Sequence, residues 1–404
     1  MTQAPPRLLT PGFALVMLGN IAWFMAFATF FLLPRFLVTE LDASEAQTGW
    51  VMASFGLLSL AALPFVGGLT DRFGRRPFLI TGALVMVVSA LLFTQITELG
   101  PAVYALRMLQ GLSFALWFVS SSSVVVDIVP AARRGAALGL FGISTLSTHA
   151  LAPAIAEWIA LTWGFVPVFL LSAGWATLAV LIAMVLPGRR RASDDDEQPA
   201  RSNLALLRRP EVGLIVLASF LCGFGFGAAL VFSQPLALQR GLTLVSAFLV
   251  AHAITSIIVR ILFSRLTDHP SRRLVVLPSV FFMGSGVLWL AFMDSMPEYV
   301  IAGALMGLGH SLTYPTMNAL LINRLRLSEH GRGMSLFVGG FNAGMIVAQM
   351  ILGWLTVYIG LSGVFIVAGV LVWAAAPSFW GATISRAEST GGVSNRAGGP
   401  PDPS

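Results

Sequence analysis

Long apolar runs alternate with short polar breaks along almost the whole chain. A helix needs about 20 apolar residues to cross a bilayer, and the sequence contains twelve such runs. They are too long for sheet strands and lack the alternating pattern of barrel strands. We therefore expect an all-α membrane protein with twelve transmembrane helices, at 12–34, 48–70, 77–97, 102–127, 136–160, 164–187, 211–235, 244–266, 273–293, 297–323, 332–357 and 361–383.

The basic residues fall almost entirely on one side of this pattern. Twenty of the 24 arginines and lysines lie at the termini or in the breaks after every second run, and all are arginine. Positive residues mark the cytoplasmic side of a membrane protein. The pattern predicts a multi-pass membrane protein with both termini in the cytoplasm.

Composition excludes several other classes of protein. Of 404 residues, 56% are hydrophobic and 10% are charged, against about 25% charged in soluble domains. The net charge of +6 sits in short breaks rather than on a solvated face, so no nucleic-acid partner is expected. With Cys222 as its one cysteine, the chain has no disulfide framework. It carries no nucleotide loop or nucleophile motif. We expect no enzyme, no cofactor and no metal site.

The chain divides into two similar halves. We expect six-helix bundles at 1–187 and 211–384, a cytoplasmic linker at 188–210 and a disordered cytoplasmic tail at 385–404. Residues 69–76 (LTDRFGRR) and 266–273 (LTDHPSRR) match at five of eight positions, after the second run of each half. A repeat of this kind is typical of transporters built from two pseudo-symmetric bundles.

Two motifs resemble those of a known family. Residues 67–76 (GGLTDRFGRR) are similar to the signature between spans two and three of the major facilitator superfamily, and residues 106–111 (LRMLQG) resemble a fourth-span motif of its proton-linked antiporters. The resemblance is to the bacterial efflux branch, which includes drug:proton antiporters, sugar-efflux-like proteins and metallophore exporters. It implies alternating access by a functional monomer. The fifth span keeps Pro153 but lacks the usual glycines, and the first span lacks the usual acid.

The resemblance also implies a charge network that locks the outward-facing state at the cytoplasmic side. Its predicted members are the glycines, acids and arginines of the loop signature, an acid at the end of span four, and the equivalent acid of the second half: Gly67, Asp71, Arg72, Gly74, Arg75, Arg76, Asp127 and Asp268. The alternative is that these charges only set topology and form weak local ion pairs.

Charges at bilayer depth suggest proton coupling, because they require a partner or a wet cavity. Arg107 and Glu157 are predicted at similar depth, so we expect them to pair or to share a proton-sensitive network. Histidine titrates near neutral pH, which makes His149, His252 and His310 candidate proton carriers. The alternatives are a structural Arg107–Glu157 pair, an exposed Glu157, and neutral core histidines.

A substrate cavity is expected between the halves, among spans one, four, seven and ten. Arg260, near mid-membrane, suggests recognition of an anion or zwitterion; bonding to carbonyls or snorkelling is the alternative. Aromatic residues could hold a flat or cationic substrate, although packing is the simpler role. The predicted lining is Asn20, Trp23, Phe27, Gln110, Trp117, Phe224, Gln234, Arg260, Tyr314 and Asn342.

These observations predict a secondary transporter that exports a small amphipathic organic molecule coupled to protons. Its partners would be the lipid bilayer, the small-molecule substrate and protons. Uptake or facilitated diffusion of a small anionic or zwitterionic metabolite remains an alternative. A membrane sensor or scaffold that does not transport is an alternative of another class.

Overall fold

The computed structural model describes residues 10–130, 133–186, 203–263, 273–326 and 329–377. Asp268, the predicted tail at 385–404, most of the predicted linker and most of the second copy of the repeat lie outside the described residues.

The first half contains six long helices, which we number as spans 1 to 6. Span 1 is interrupted by a 3-10 turn at Phe30–Leu32 between Pro11–Thr29 and Leu33–Glu40. Gly74 (φ 87°) and Gly164 (φ 81°) adopt positive φ values where the chain reverses after spans 2 and 5. Spans 2 to 6 are Glu45–Phe73, Arg75–Phe93, Pro101–Ile128, Arg134–Trp163 and Phe165–Val185.

The second half repeats this arrangement. A short helix, Asn203–Leu207, forms inside the segment predicted as a plain linker, where Leu206 is buried. Gly360, with φ 67°, breaks the helix His330–Trp373 into spans 11 and 12. The predicted all-α fold with twelve crossing helices is confirmed. Spans 7 to 10 are Pro210–Gln239, Ala247–Phe263, Arg273–Trp289 and Met296–Ile322.

The two ends of the helix bundle differ in their exposed side chains. We call them the Glu157 end, which also holds Arg35, and the Asp71 end, which also holds Arg75. Tryptophan and tyrosine are enriched where a protein surface meets lipid headgroups. The Glu157 end carries a belt of exposed aromatic residues, formed by Trp50, Trp158, Trp163, Trp289, Trp354 and Tyr358. The belt marks one membrane boundary, and the arginine-rich breaks lie at the opposite end.

Glycines allow helices to pack with their backbones in contact. A Cβ atom at Gly223 in span 7 would lie 2.0 Å from the carbonyl oxygen of Phe341 in span 11. Gly344 in span 11 has the reciprocal relation to the carbonyl oxygen of Phe220, also at 2.0 Å. Small residues at such crossings are typical of membrane helices, which associate through close packing rather than through the hydrophobic effect.

The two halves meet through spans 2 and 11 and through spans 5 and 8. At the Glu157 end the first of these contacts is backbone to backbone. A Cβ at Gly49 of span 2 would lie 2.1 Å from the carbonyl oxygen of Gln349 in span 11, and one at Gly353 would lie 3.0 Å from the carbonyl oxygen of Glu45. The Glu157 end is therefore closed.

At the Asp71 end, the side chain of Asp71 is 63% exposed, and its ion-pair partner belongs to its own half. A Cβ at Gly67 or Gly68 would meet no atom of the described residues within 4 Å. Within the described residues, the structure is thus closed at the Glu157 end, while the loop between spans 2 and 3 pairs with its own half.

We predict that Gly49→Ala opens the Glu157 end. The added methyl group clashes with the Gln349 carbonyl only when this end is closed, and overpacking costs about 1–3 kcal/mol. The population open at this end should therefore rise about 5- to 150-fold. Spin labels at Thr97→Cys and Ser295→Cys, in a Cys222→Ser background, report the distance between the halves.

Gly174→Ala is the matched control, because a Cβ there meets nothing within 4 Å. Its distance distribution should equal that of the parent. An unchanged distribution in Gly49→Ala would contradict the assignment of this contact to the closed state.

Candidate functional site

A cavity of about 250 Å³ lies between the two halves. Its wall is mostly aromatic and thioether side chains, with few polar groups. Among the described residues that line it, Arg107 is the one with a formal charge, and His149, Asn342 and Gln349 add polar groups. The apolar wall comprises Phe24, Phe27, Phe30, Phe31, Phe55, Phe114, Phe118 and Phe226, with Met52, Met345 and several aliphatic residues.

The aromatic wall is backed by a second layer of rings. Trp23 is fully buried and stacks on Trp117, with ring centroids 5.8 Å apart, and on Phe27 at 5.5 Å. Phe27 in turn packs on Phe114 at 5.5 Å. Rings held from behind in this way have little freedom to rotate, so the cavity presents fixed apolar surfaces to a ligand.

Arg107 enters the cavity wall from span 4 and is 4% exposed. Its Nη1 donates a hydrogen bond of 2.6 Å to Oε1 of Gln110, one helical turn along. Its guanidinium carbon lies 4.9 Å from the centre of the Phe55 ring. Gly111 brings span 4 against span 2, because a Cβ there would lie 2.1 Å from the carbonyl oxygen of Phe55. The fourth-span motif therefore fixes one arginine against one ring.

Glu157 is 1% exposed and bridges the two halves at the Glu157 end. Its carboxylate accepts hydrogen bonds from Nη1 of Arg35 at 2.6 Å, from the amide of Val245 at 2.7 Å and from the amide of Ser246 at 2.8 Å. Arg35 also donates to the carbonyl of Thr243 at 2.8 Å. We call this set of contacts between span 5, span 1 and the start of span 8 the Glu157 latch.

Arg107 and Glu157 do not pair directly, so this half of the prediction is wrong, while a proton-sensitive network shared by the two residues stays a prediction. Each side chain has other partners: Gln110 for the arginine, and Arg35 with two backbone amides for the carboxylate. Both residues are buried, as their positions along the helices suggested. The rotation of each helix about its own axis was not predicted. Glu157 faces the second half, where free amides at a helix start attract a carboxylate.

The three candidate histidines lie among the phenylalanines of the interface. His149 packs edge-on against Phe31, with ring centroids 4.9 Å apart. His252 and His310 lie 5.4 Å apart, and Phe226 lies 5.6 Å and 4.9 Å from them. Within the part of the chain that the structure describes, each histidine has one buried ring nitrogen without a hydrogen-bond partner: Nε2 of His149, Nε2 of His252 and Nδ1 of His310.

Two of the predicted lining residues, Phe27 and Asn342, belong to the cavity wall. Asn20 instead donates to the hydroxyls of Ser144 and Thr145 in span 5, and Gln234 donates to the Phe31 carbonyl. Other predicted residues pack behind the wall or elsewhere in the interior, so they do not line this cavity: Trp23, Gln110, Trp117, Phe224, Arg260 and Tyr314.

Arg260 lies in the last described turn of span 8 and reaches the first half. A Cβ at Gly142 of span 5 would lie 3.5 Å from its Nη1. Its Nε is buried and has no hydrogen-bond partner among the described residues. The predicted approach of Arg260 to the interface is thus present, although it contacts span 5 rather than the aromatic cavity.

Comparison with known proteins decides the family. The sequence profile described as Major Facilitator Superfamily matches residues 15–296 and 249–401. The chain belongs to this superfamily. The multidrug resistance protein MdtL of Escherichia coli is 28% identical over 189 residues, which are 46% of this chain and 48% of MdtL. The chain thus matches about half the length of such curated relatives.

Solved structures of superfamily members share the fold. The nucleoside transporter NupG has a TM-score of 0.77 at 12% identity, covering 92% of this chain and 99% of NupG. The human organic anion transporter MFSD10 has a TM-score of 0.69 at 16% identity, covering 92% of this chain and 100% of that chain. At these identities the likeness concerns the fold alone.

The superfamily signature between spans 2 and 3 forms a compact ion-pair network. Arg75 is 8% exposed and contacts Asp71 at 2.8 Å and Asp127 at 3.3 Å. It also donates to the Thr70 carbonyl at 3.0 Å. Gly74 provides the turn that lets Arg75 reach back. The network lies within the first half, so its role as a lock between the halves stays a prediction.

The remaining members of the signature contact their own half. Arg72 lies over the Phe73 ring, with 5.2 Å to its centre, and Arg76 donates to the Met184 carbonyl of span 6. A Cβ at Gly67 would meet no atom of the described residues within 4 Å.

The second half has a pair of ion bridges at the same end, which sequence reasoning missed. Arg209 holds Glu329 through two hydrogen bonds of 2.9 Å and 2.8 Å, and Arg324 lies 3.4 Å from Glu211. The hydrogen bonds from Arg209 lower the pKa of Glu329, and the same pairing raises the pKa of Arg209. The first pair joins the starts of spans 7 and 11, and the second joins the end of span 10 to the start of span 7.

We predict that Asp71→Asn abolishes transport while leaving expression and folding intact. The substitution removes the exposed charge of the network but leaves Arg75 paired with Asp127. Transport in reconstituted liposomes should fall by more than about tenfold, the equivalent of roughly 1.4 kcal/mol. Glu98→Gln, which neutralises an exposed acid at the opposite end, is the control. Normal transport by Asp71→Asn would exclude the lock.

Proposed function

We propose that this protein is a proton-coupled exporter of a small amphipathic organic molecule in a bacterial inner membrane, acting as a monomer by alternating access. The family, the multidrug efflux relative and the aromatic cavity support export of such a molecule. The observation that carries the proposal is the Glu157 latch, in which one buried carboxylate joins the two halves.

The latch requires a deprotonated carboxylate. A carboxylate accepts all three hydrogen bonds, and hydrogen bonds to an ionised group are roughly twice as strong as neutral ones. A protonated Glu157 is a weaker acceptor, and its O–H group would face the N–H groups that donate to the carboxylate. Proton binding at Glu157 therefore favours opening of this end. Proton binding at Glu157 and closure of this end would then oppose each other.

This linkage gives the direction of proton movement. The arginine bias orients the Asp71 end toward the cytoplasm, so Glu157 meets the outside when its end opens. It takes up a proton there and gives it up as the latch closes. His149 lies eight residues away on the same helix, about 12 Å at 1.5 Å per residue, and is the candidate histidine on span 5. Protons moving inward would then drive export of the substrate against its concentration gradient.

Facilitated movement of a small anion is the second candidate. Arg107 and Arg260 each have a buried Nε without a hydrogen-bond partner among the described residues. Such a carrier would move an anion through the same cavity with no proton signal. A sensor or scaffold that does not transport would show neither flux.

We predict that Glu157→Gln uncouples the protein from protons. Glutamine keeps the size of the side chain but cannot titrate. Its NH2 group would face the N–H groups that donate to Glu157. In liposomes with a pH-sensitive dye, substrate-dependent proton flux should fall to background. Glu98→Gln should keep full flux, because that acid is exposed. Retained proton flux in Glu157→Gln would move the proton carrier to a histidine, and substrate movement without any proton signal in the parent would favour the facilitated carrier.

We also predict a pH-dependent opening that needs Glu157. Acidification should lengthen the distance between labels at Thr97→Cys and Ser295→Cys in the parent, because protonation weakens the latch. Glu157→Gln should be open at this end at every pH. A distance that changes with pH equally in both proteins would contradict the latch.

A further inference from the structure

We propose that the cavity binds amphipathic organic anions, with an aromatic body held among the phenylalanine rings and a carboxylate paired with Arg107. This inference rests on the proposed transport function and adds a substrate class to it. Four features carry it: the charge of the wall, the free edge of the guanidinium, the cost of an unpaired buried cation, and the size of the cavity.

The charge of the cavity wall is positive. Arg107 lines it, and no aspartate or glutamate does so among the described residues. In the part of the chain that the structure describes, no ion pair includes Arg107. Its hydrogen-bond partner, Gln110, is neutral.

A buried cation without a counter-ion is destabilising, since desolvation is not offset by an opposite charge. Arg107 is 4% exposed and receives partial compensation from Gln110 and from the Phe55 ring. A negatively charged ligand supplies the compensation for desolvation that Gln110 and Phe55 do not provide. A cationic ligand would instead meet like charge at short range, and the Phe55 ring face that could attract it is already taken by Arg107.

One edge of the guanidinium has an unsatisfied donor. Nη1 is engaged by Gln110, whereas Nε is buried and has no hydrogen-bond partner among the described residues. The Nε and Nη2 groups of an arginine form a planar fork that matches the two oxygens of a carboxylate. Because Gln110 and Phe55 hold the group in place, little side-chain entropy is lost on binding.

The dimensions and apolar character of the wall limit the rest of the ligand. The volume of about 250 Å³ is just below the usual 300–1,000 Å³ of small-molecule sites. It suits a body of one or two rings. Phe114 and Phe118 stack with their ring centroids 5.3 Å apart, and Phe27 packs on Phe114 at 5.5 Å with the ring planes tilted by 40°. A flat body can pack against this aromatic surface.

The test is equilibrium binding to purified full-length protein in lipid nanodiscs, with no ion gradient. Three probes share one ring system and differ in charge: 1-naphthoate, 1-naphthalenemethanol and 1-naphthylmethylammonium. Empty nanodiscs correct for partition into lipid. The parent should bind naphthoate about tenfold or more tightly than the neutral probe, as expected for a hydrogen-bonded charge pair, and the ammonium probe most weakly.

Arg107→Gln should remove the preference for the anion while keeping the binding of the neutral probe. Arg107→Lys should keep part of the preference, because the charge remains but the fork does not. Arg208→Gln removes an exposed arginine and should leave all three affinities unchanged. If Arg107→Gln does not fold, the charge series on the parent and on Arg107→Lys still decides the question.

Three results would overturn the proposal: equal or tighter binding of the ammonium probe by the parent, an intact anion preference in Arg107→Gln, or loss of the preference in Arg260→Gln alone. The last result would assign the anion to Arg260. Since no gradient is present, a failure here concerns the substrate class and is distinct from a failure of proton coupling, which the liposome flux assay measures.

Discussion

One buried carboxylate organises the closed end of this transporter. The carboxylate of Glu157 accepts hydrogen bonds from Arg35 of its own half and from two backbone amides of the other half. The backbone contact between Gly49 and Gln349 brings spans 2 and 11 together at the same end. Closure therefore combines a packing contact with a hydrogen-bonded contact. In the proposed function, the carboxylate of the hydrogen-bonded contact binds and releases the coupled proton.

The cavity and the latch have separate tasks in this arrangement. The cavity is mostly apolar, with one fixed cation in its wall, whereas the latch is polar and lies at the Glu157 end. His149 packs against Phe31, and His252 and His310 lie near Phe226, so all three histidines are next to rings of the cavity wall.

Much of the fold could be predicted from the sequence, because each membrane helix corresponds to one continuous apolar run of residues. The ion pairs of Arg75 with Asp71 and Asp127 were also predictable, since the family motif carries them. The partners of Glu157 in the other half could not be predicted, because they are backbone amides. Nearly every residue has a backbone amide, so the sequence does not distinguish these two. Phe55, Phe114 and Phe118 were missed as cavity residues, since helix rotation about its axis is undetermined when every face is apolar. The spacing of Phe24, Phe27 and Phe31 along one helical face was the one signal available.

The most direct test of this account is the protonation state of Glu157 in the open and closed states. Infrared difference spectroscopy detects the carbonyl band of a protonated carboxyl group, and Glu157→Gln identifies the band by its loss. In the proposed cycle, Glu157 binds a proton when this end opens. Gly49→Ala, which opens the Glu157 end without touching the carboxylate, should therefore show the protonated band at a neutral pH at which the parent shows none. An identical band in the two proteins at every pH would mean that closure and proton release are independent, and the account would be wrong.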